Sequence, residues 1–382
     1  VIYLDHHAAA PMPETVWHAM EQAAAIAWAN PSSTHAAGRA SKQLLEQARE
    51  EVASAIGASP ADVILTGGGT EACNLGIRGL ADGRGLVVST KVEHPAVARS
   101  ARRLEREGRQ LVLLDVLAGN SPGARELAAH LGPQTLVAIQ WVNHETGTIF
   151  PIERYAEVCR ERGALLFVDA TQALGKLPID VGTLGADAVA IAAQKIGGPA
   201  GAGACWVRRG LDLAPVLEGG SQERGRRPGT PDTLSMVGFG AACRLVGDRL
   251  EAQSRLAALR ERIENDLTGL GALANGGPRR TATVSNLSFS GWEGSVLAAA
   301  LDLEGVCVST GAACASGLQE PSEVIRAMYP DAQWRAGSAV RISLGMETTS
   351  REIGVASDAF RCVLARGGGG NLNQIGTPRR LT

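Results

Sequence analysis

Residues Asp187 to Gly203 read D-A-V-A-I-A-A-Q-K-I-G-G-P-A-G-A-G. A run of small apolar residues that ends in one lysine, then in glycine and proline, reads as a buried strand delivering Lys195 to a loop at its end. Burial disfavours the ammonium form of an amine and frees the lone pair that condenses with a carbonyl. The simpler alternative is a lysine that snorkels from a strand end. Composition weighs against it. The chain has 37 lysines and arginines, and only Lys42, Lys91, Lys176 and Lys195 are lysines. Such a bias retains lysine where arginine cannot substitute, and a guanidinium forms no imine at neutral pH.

Strand-like runs recur on both sides of this stretch, at Val63 to Thr66, Leu86 to Thr90, Leu111 to Val116, Leu136 to Val142, Leu165 to Val168, Ala188 to Ala193 and Ala204 to Val207. Helical stretches separate most of them, and two more, Glu14 to Trp28 and Ala37 to Ile56, precede the first. The alternation predicts an α/β domain over residues 13–250, with a seven-stranded, mainly parallel sheet covered on both faces and a ligand site beyond the strand ends. One long helix from about Gly240 to Leu267 is expected to lead out of it. A smaller α+β domain is expected from residues 251–366, with the N-terminal strand of residues 1–12 joining it. Its elements are N-L-S-F-S at Asn286 to Ser290, a helix near Ser295 to Glu304, a strand at Val340 to Leu344 and a helix from Ser350. Residues 367–382 are glycine-rich and read as a mobile tail.

A hydrophobic content of 45%, a charged content of 20% and a formal net charge of −2 are ordinary for a globular protein and leave no electrostatic footprint for nucleic acid. No apolar run reaches the roughly 18 residues of a membrane span. The opening V-I-Y-L-D-H-H lacks the marks of a secretory signal, so a cytoplasmic setting is expected. Seven cysteines without a C-x-x-C pair suggest neither a disulfide framework nor a zinc site. Most are expected to be buried as small hydrophobes.

Thr66 to Asn74 read T-G-G-G-T-E-A-C-N, a strand running through glycines into a helix start. Such a turn offers backbone N–H groups to an anion, and a phosphate suits it; a plain glycine-rich turn is the alternative. Leu165 to Gln172 read L-L-F-V-D-A-T-Q, which places Asp169 at a buried strand end, where a carboxylate needs a cation or hydrogen-bond donors, or else caps the next helix. A single cofactor, pyridoxal 5'-phosphate (PLP), answers all three features, with an aldehyde for Lys195, a protonated pyridine nitrogen for Asp169 and a phosphate for the turn. Glu93-His94-Pro95 and Asn143-His144-Glu145 each follow a strand, so an imidazole against the ring and an amide on its phenolic oxygen fit there, with ordinary loop residues as the alternative for each taken singly. Val308 to Gly317 read V-S-T-G-A-A-C-A-S-G, a loop of small residues bearing Cys314, suited to a travelling nucleophile or carrying an incidental thiol.

Assembled in order, these pieces resemble the class I cysteine desulfurases of the NifS/IscS type, fold-type I PLP enzymes. The resemblance runs from about Tyr3 to Arg366. It rests on Y-L-D at Tyr3, N-P-S-S-x-H at Asn30, T-E-A-x-N at Thr70, E-H-P-A-V at Glu93, V-N-x-E-x-G at Val142, V-D-A-T-Q at Val168 and K-x-x-G-P at Lys195. Further along it rests on E-R-G-x-R-x-G-T from Glu223, G-x-A-C at Cys314, E-P-S-x-V-x-R-A from Glu320 and R-x-S-L-G at Arg341. It implies that Lys195 holds the cofactor's aldehyde and moves protons, that Asp169 pairs with the pyridinium and that His94 stacks on the ring. Asn143 and Gln172 would contact the ring oxygen, and Gly69 and Thr70 the phosphate. Thr230 would reach the phosphate of a partner subunit, which implies a homodimer. Arg341 would clamp the carboxylate of L-cysteine. Cys314 would take the substrate sulfur as a persulfide, release alanine and pass sulfur to an acceptor: an iron–sulfur scaffold, a tRNA-thiolating enzyme or the DNA-phosphorothioation machinery.

The chain departs from the family pattern at several points. Ala192-Ala193-Gln194-Lys195 stands for Ser-x-His-Lys, Asp5-His6-His7-Ala8-Ala9-Ala10 for D-N-N-A-T-T, His144 for the second Asn of N-N-E, and Met346 for the Arg of L-G-R. Weaker cofactor seating and a dedicated sulfur pathway, such as phosphorothioation, are the expectations they raise. Another PLP enzyme on this scaffold (a C–S lyase, epimerase or aminotransferase) and a catalytically inactive partner-binding scaffold are the alternative readings.

Overall fold

The computed structural model describes residues 1–310 and 320–367. Cys314 and residues 368–382 of the expected tail lie outside the described residues.

The strands are β1 (Ile2–Tyr3), β2 (Val63–Thr66), β3 (Leu86–Thr90), β4 (Gln110–Leu114), β5 (Thr135–Gln140), β6 (Leu165–Asp169), β7 (Ala188–Ala192), β8 (Gly203–Val207), β9 (Leu273–Asn275), β10 (Val284–Ser288), β11 (Val306–Cys307) and β12 (Ala339–Ser343). Seven of them form one sheet in the order β2-β8-β7-β6-β5-β3-β4. The five strands from β4 to β7 are parallel, and β8 runs antiparallel to both β7 and β2.

Alternate residues of the parallel strands feed two separate cores. Val88, Ile139, Val168 and Ile191 pack into one, while Val87, Ala138, Phe167 and Ala190 pack into the other. A strand buried on both faces has no polar side to show, which is why these segments read as continuous apolar runs. Helix Gly69–Leu80 lies so close to the sheet that a Cβ at Gly76 would come within 2.4 Å of the Phe167 ring. Only glycine fits there.

A second unit is built on the antiparallel sheet β12-β10-β9 and a core of Leu4, Leu256, Ile263, Leu287, Val340 and Phe360. β1 pairs in parallel with β11, and Asp5 bridges to Ser343, so the amino terminus is stitched into this unit. The single helix expected from Gly240 to Leu267 is instead part of three, Thr233–Arg244, Val246–Glu251 and Gln253–Thr268. The reason lies in packing. Phe239, Ala242 and Cys243 bury against the large-sheet core and Leu256, Leu259 and Ile263 against the smaller one, so the chain turns at Leu245 and Ala252 between them. Among the described residues no helix is long and apolar enough to cross a membrane.

Candidate active site

The carboxyl ends of β2, β3, β5, β6 and β7 and the amino end of β8 share one edge of the sheet, the position where parallel α/β sheets place ligands. There a cavity of about 360 Å³ opens, within the range of small-molecule sites. Lys195, Asp169, His94, Thr70, Gln172 and Arg341 all line it, as does Gly69. Arg341 of its wall is paired with Asp5, 336 residues earlier in the sequence.

Lys195 sits in a short 3-10 turn, Ala193–Ile196, at the end of β7, and Gly197 closes that turn at φ +73°. Its Nζ donates to the carbonyls of His7 at 2.9 Å and Ala8 at 2.7 Å. The chain entering from β1 therefore supplies backbone acceptors over the amine. Gln172 uses the same acceptor, its Nε2 donating to His7 O at 2.9 Å, while its Oε1 accepts from Lys176 Nζ at 3.0 Å.

Asp169 is buried at the end of β6, with Oδ1 accepting the Thr171 amide at 3.0 Å. The buried Cys73 thiol lies beside it, and burial, then the Asp169 charge, pushes that thiol well up. His94 caps helix Pro95–Arg106, and its Nδ1 accepts the Ala96 amide at 3.1 Å. The proton of the neutral ring is therefore on Nε2. Burial lowers this imidazole, with Asp169 opposing and Lys195 reinforcing. His144 meets the His94 ring edge-on, with centroids 5.0 Å apart, and burial holds it well below the usual imidazole range.

Helix Gly69–Leu80 begins at this cavity, and its N-cap, Gly68, offers no side-chain cap. Gly68 has φ +135° and an open Cβ position, whereas a Cβ at Gly203 would strike the Gly68 backbone at 2.6 Å. The turn thus exposes backbone amides at a helix N-terminus beside Thr70. An amine for an aldehyde, a buried carboxylate for a ring cation, a neutral imidazole beside a flat space and an uncapped helix start for a phosphate are the donor set that PLP needs. The residues present fit that cofactor.

Two of the expected residues lie elsewhere. Asn143 is fully buried and does not line the cavity: its Nδ2 donates to Val92 O at 3.0 Å, and its Oδ1 accepts from the amides of Glu145 and Thr146 and from Thr146 Oγ1. It ties the turn after β5. Thr230 is exposed and outside the cavity. Its loop is anchored by Glu223, whose carboxylate takes Arg49 Nη1 at 2.6 Å, Nη2 at 2.7 Å and the Leu65 amide at 3.0 Å. Glu223 and Arg224 both adopt left-handed backbone, φ +48° and +60°, a conformation that costs a side-chain-bearing residue roughly 1–2 kcal/mol and that the buried ion pair holds in place.

Sequence reasoning missed Cys73, Gln140, Thr171 and the second amine, Lys176. A signal existed for Lys176, which stands four residues after Gln172, the spacing at which a donor and an acceptor face each other. It missed also the carbonyls of His7 and Ala8, which no residue type announces.

Residues 2–355 match the model of the aminotransferase class-V family. The chain belongs to that family. PLP is the cofactor of its cysteine desulfurase members. The class-V chain is 38% identical over 393 residues to a protein of Mycobacterium tuberculosis named IscS-like cysteine desulfurase, with 99% of this chain and 100% of that one aligned. Among solved structures it is similar to a NifS-like protein, with a TM-score of 0.89, 29% identity and coverage of 96% of this chain and 99% of that one. It is similar also to SspA in complex with cysteine, with a TM-score of 0.79, 29% identity and coverage of 91% and 100%. The fold-type I α/β architecture and its seven-stranded sheet agree with these relatives.

Proposed function

We propose that this class-V protein is a PLP-dependent L-cysteine desulfurase that converts L-cysteine to L-alanine and stores the sulfur as a persulfide on Cys314. The observation that carries the reading is the convergence of Lys195, Asp169, His94 and an uncapped helix start on one cavity that the Arg341 guanidinium also lines. The relatives' names and the cysteine bound by SspA point the same way.

When bound, PLP supplies an electron sink that weakens the substrate's Cβ–S bond. Lys195 anchors it and exchanges protons at the substrate's carbons, with the His7 and Ala8 carbonyls orienting its nitrogen. Asp169 holds a positive charge at the floor of the site, and His94 presents its Nε2–H to the cavity. Gly69 and Thr70 hold the phosphate, and Gln172 offers an N–H to an oxygen of the ring. Asn143 stands between Val142 and His144 of the cavity wall and fixes the turn that carries them, next to the ring oxygen that the family pattern assigns to it. Arg341 binds the substrate carboxylate. The Cys314 thiolate attacks the substrate sulfur: a Cys314 Sγ–S bond forms, the Cβ–S bond breaks with its electron pair left on carbon, and a proton completes the methyl group of alanine. No outside oxidant is required, because the two electrons that the sulfur gives up on reaching the persulfide level stay on the carbon, which is reduced to the methyl group.

Thr230, exposed on a loop anchored beside the glycine turn, suits the phosphate of a partner subunit's cofactor, and a homodimer follows from that reading. A cytoplasmic setting, a protein acceptor for the persulfide and the division into a cofactor domain (13–250) and a smaller domain (1–12 and 251–366) belong to the same proposal. DNA phosphorothioation is one destination for the sulfur, and the unusual residues before Lys195 are what motivate it.

The test is conversion of L-cysteine by the wild type and by Cys314→Ser. The wild type should release one alanine per sulfur stored, and Cys314→Ser should keep the visible absorbance of the bound cofactor yet make neither alanine nor persulfide. Full activity in Cys314→Ser would overturn the proposal in favour of a C–S lyase.

A further inference from the structure

Behind Lys195 a second, much smaller chamber of about 30 Å³ is lined by Lys176, Lys195, His6, Arg249 and Met346. Two of the chain's four lysines share its wall. They are also joined by a continuous polar path: Lys176 Nζ donates to Gln172 Oε1 at 3.0 Å, Gln172 Nε2 donates to His7 O at 2.9 Å, and Lys195 Nζ donates to the same oxygen at 2.9 Å. A lysine ammonium can only donate and a carbonyl can only accept, so the amide between them has one orientation and the path is fixed.

We propose that Lys176 is a positioning residue for Lys195, the second cation of an amine pair, which acts across this path to favour the unprotonated form of the Lys195 nitrogen. The inference rests on the reading of Lys195 as the cofactor-bearing amine. Two like charges in one low-dielectric pocket disfavour each other, so the pair retains a single proton more readily than two. That is the state a base needs when it must take a proton from the substrate.

The surroundings confine the effect to the pH range in which Lys176 keeps its proton. The groups facing Lys176 are Lys195, Arg249 and Arg341, with His6 and His7 held neutral by burial. No carboxylate among the described residues lines the chamber. Glu347 and Asp248 act on Arg249, and Asp5 acts on His6 and Arg341. Burial first, then Lys195, Arg249 and Arg341, brings the Lys176 amine down to about 7, so its charge and its effect on Lys195 are present below that pH and fade above it. An arginine here would keep its charge at every working pH; a lysine can give its proton up.

The experiment is a pH titration of the visible absorbance of the PLP-loaded protein, in wild type, Lys176→Met and Lys176→Arg. Removing the charge should move the midpoint up by about one to two pH units, the size expected for a unit charge roughly 6–12 Å away at an effective dielectric near 20. Lys176→Arg should titrate at or below the wild-type midpoint. The acid limb of kcat/KM should move the same way in each variant. A Lys176→Met midpoint equal to wild type, or equal upward shifts in both variants, would overturn the proposal. A wild-type protein that binds no PLP would instead overturn the reading it rests on.

Discussion

Arg341 Nη2 lies 2.7 Å from Asp5 Oδ1, and this pair joins the cavity wall to the strand that opens the chain. Arg341 comes from β12, where it bridges to Ser309, and its Nη1 donates to His144 O at 3.0 Å. The guanidinium reaches the cavity already aimed, with one edge held by a carboxylate and a carbonyl.

Asp5 should therefore act on substrate binding through Arg341. Asp5→Asn is expected to raise KM for L-cysteine about tenfold, the equivalent of one charge-assisted hydrogen bond, with kcat changed less. Steady-state kinetics checks the split. An equal fall in kcat with unchanged KM would place Asp5 in the chemistry instead. The same variant leaves a buried guanidinium without its acid, so a lowered melting temperature is expected as well.

The cofactor's seat should tighten when a missing hydroxyl is restored. A Cβ built at Gly69 would lie 3.0 Å from Ala192 Cβ, so residue 192 sits directly under the turn assigned to the phosphate. Ala192→Ser adds one donor there. A net gain of about 1 kcal/mol, near fivefold in the PLP dissociation constant, is expected from equilibrium titration. An unchanged or weaker constant would show that the hydroxyl does not reach the phosphate.

Glu93 gives the protein a pH signature. Its carboxyl is buried between Thr90 Oγ1 at 2.5 Å and the Gln140 amide at 2.8 Å, and burial pushes it up to about 8 against the opposing pull of these hydrogen bonds. A carboxyl raised by folding binds a proton more tightly in the native state, so its contribution is full below the unfolded value near 4.5 and is lost as pH rises towards 8. Glu93→Gln should remove that loss. Its melting temperature between pH 5 and 8 should fall less with rising pH than the wild type's, as followed by thermal melts in matched buffers. Parallel curves would contradict the assignment.

The sheet was legible in the sequence, and so was the position of two polar residues at its edge, for a common reason. Strands buried on both faces must be apolar throughout, so Asp169 and Lys195 stand out as polar residues at the ends of apolar runs. The rest was hidden where the information is not carried by side-chain type. The acceptors over Lys195 are backbone carbonyls of His7 and Ala8, brought in by a strand that begins the chain. The pairing of Asp5 with Arg341 depends on β1, β11 and β12 assembling across almost the whole sequence. Asn143 follows a strand, as the resemblance requires of a ligand, but the hydrogen bonds that hold it away from the cavity to Val92 and to its own turn are not written in its residue type. The breaks at Leu245 and Ala252 follow from two cores facing different ways, which a local helical pattern does not record.

The central claim is that the amine at the end of β7 carries the cofactor. Borohydride reduction of the PLP-loaded protein, followed by peptide mapping, tests it directly. The reduced pyridoxyl group should be on Lys195, with Lys176 unmodified, and Lys195→Ala should take up no label. Labelling of Lys176 or any other lysine in place of Lys195, or a protein that stays colourless in excess PLP, would contradict it.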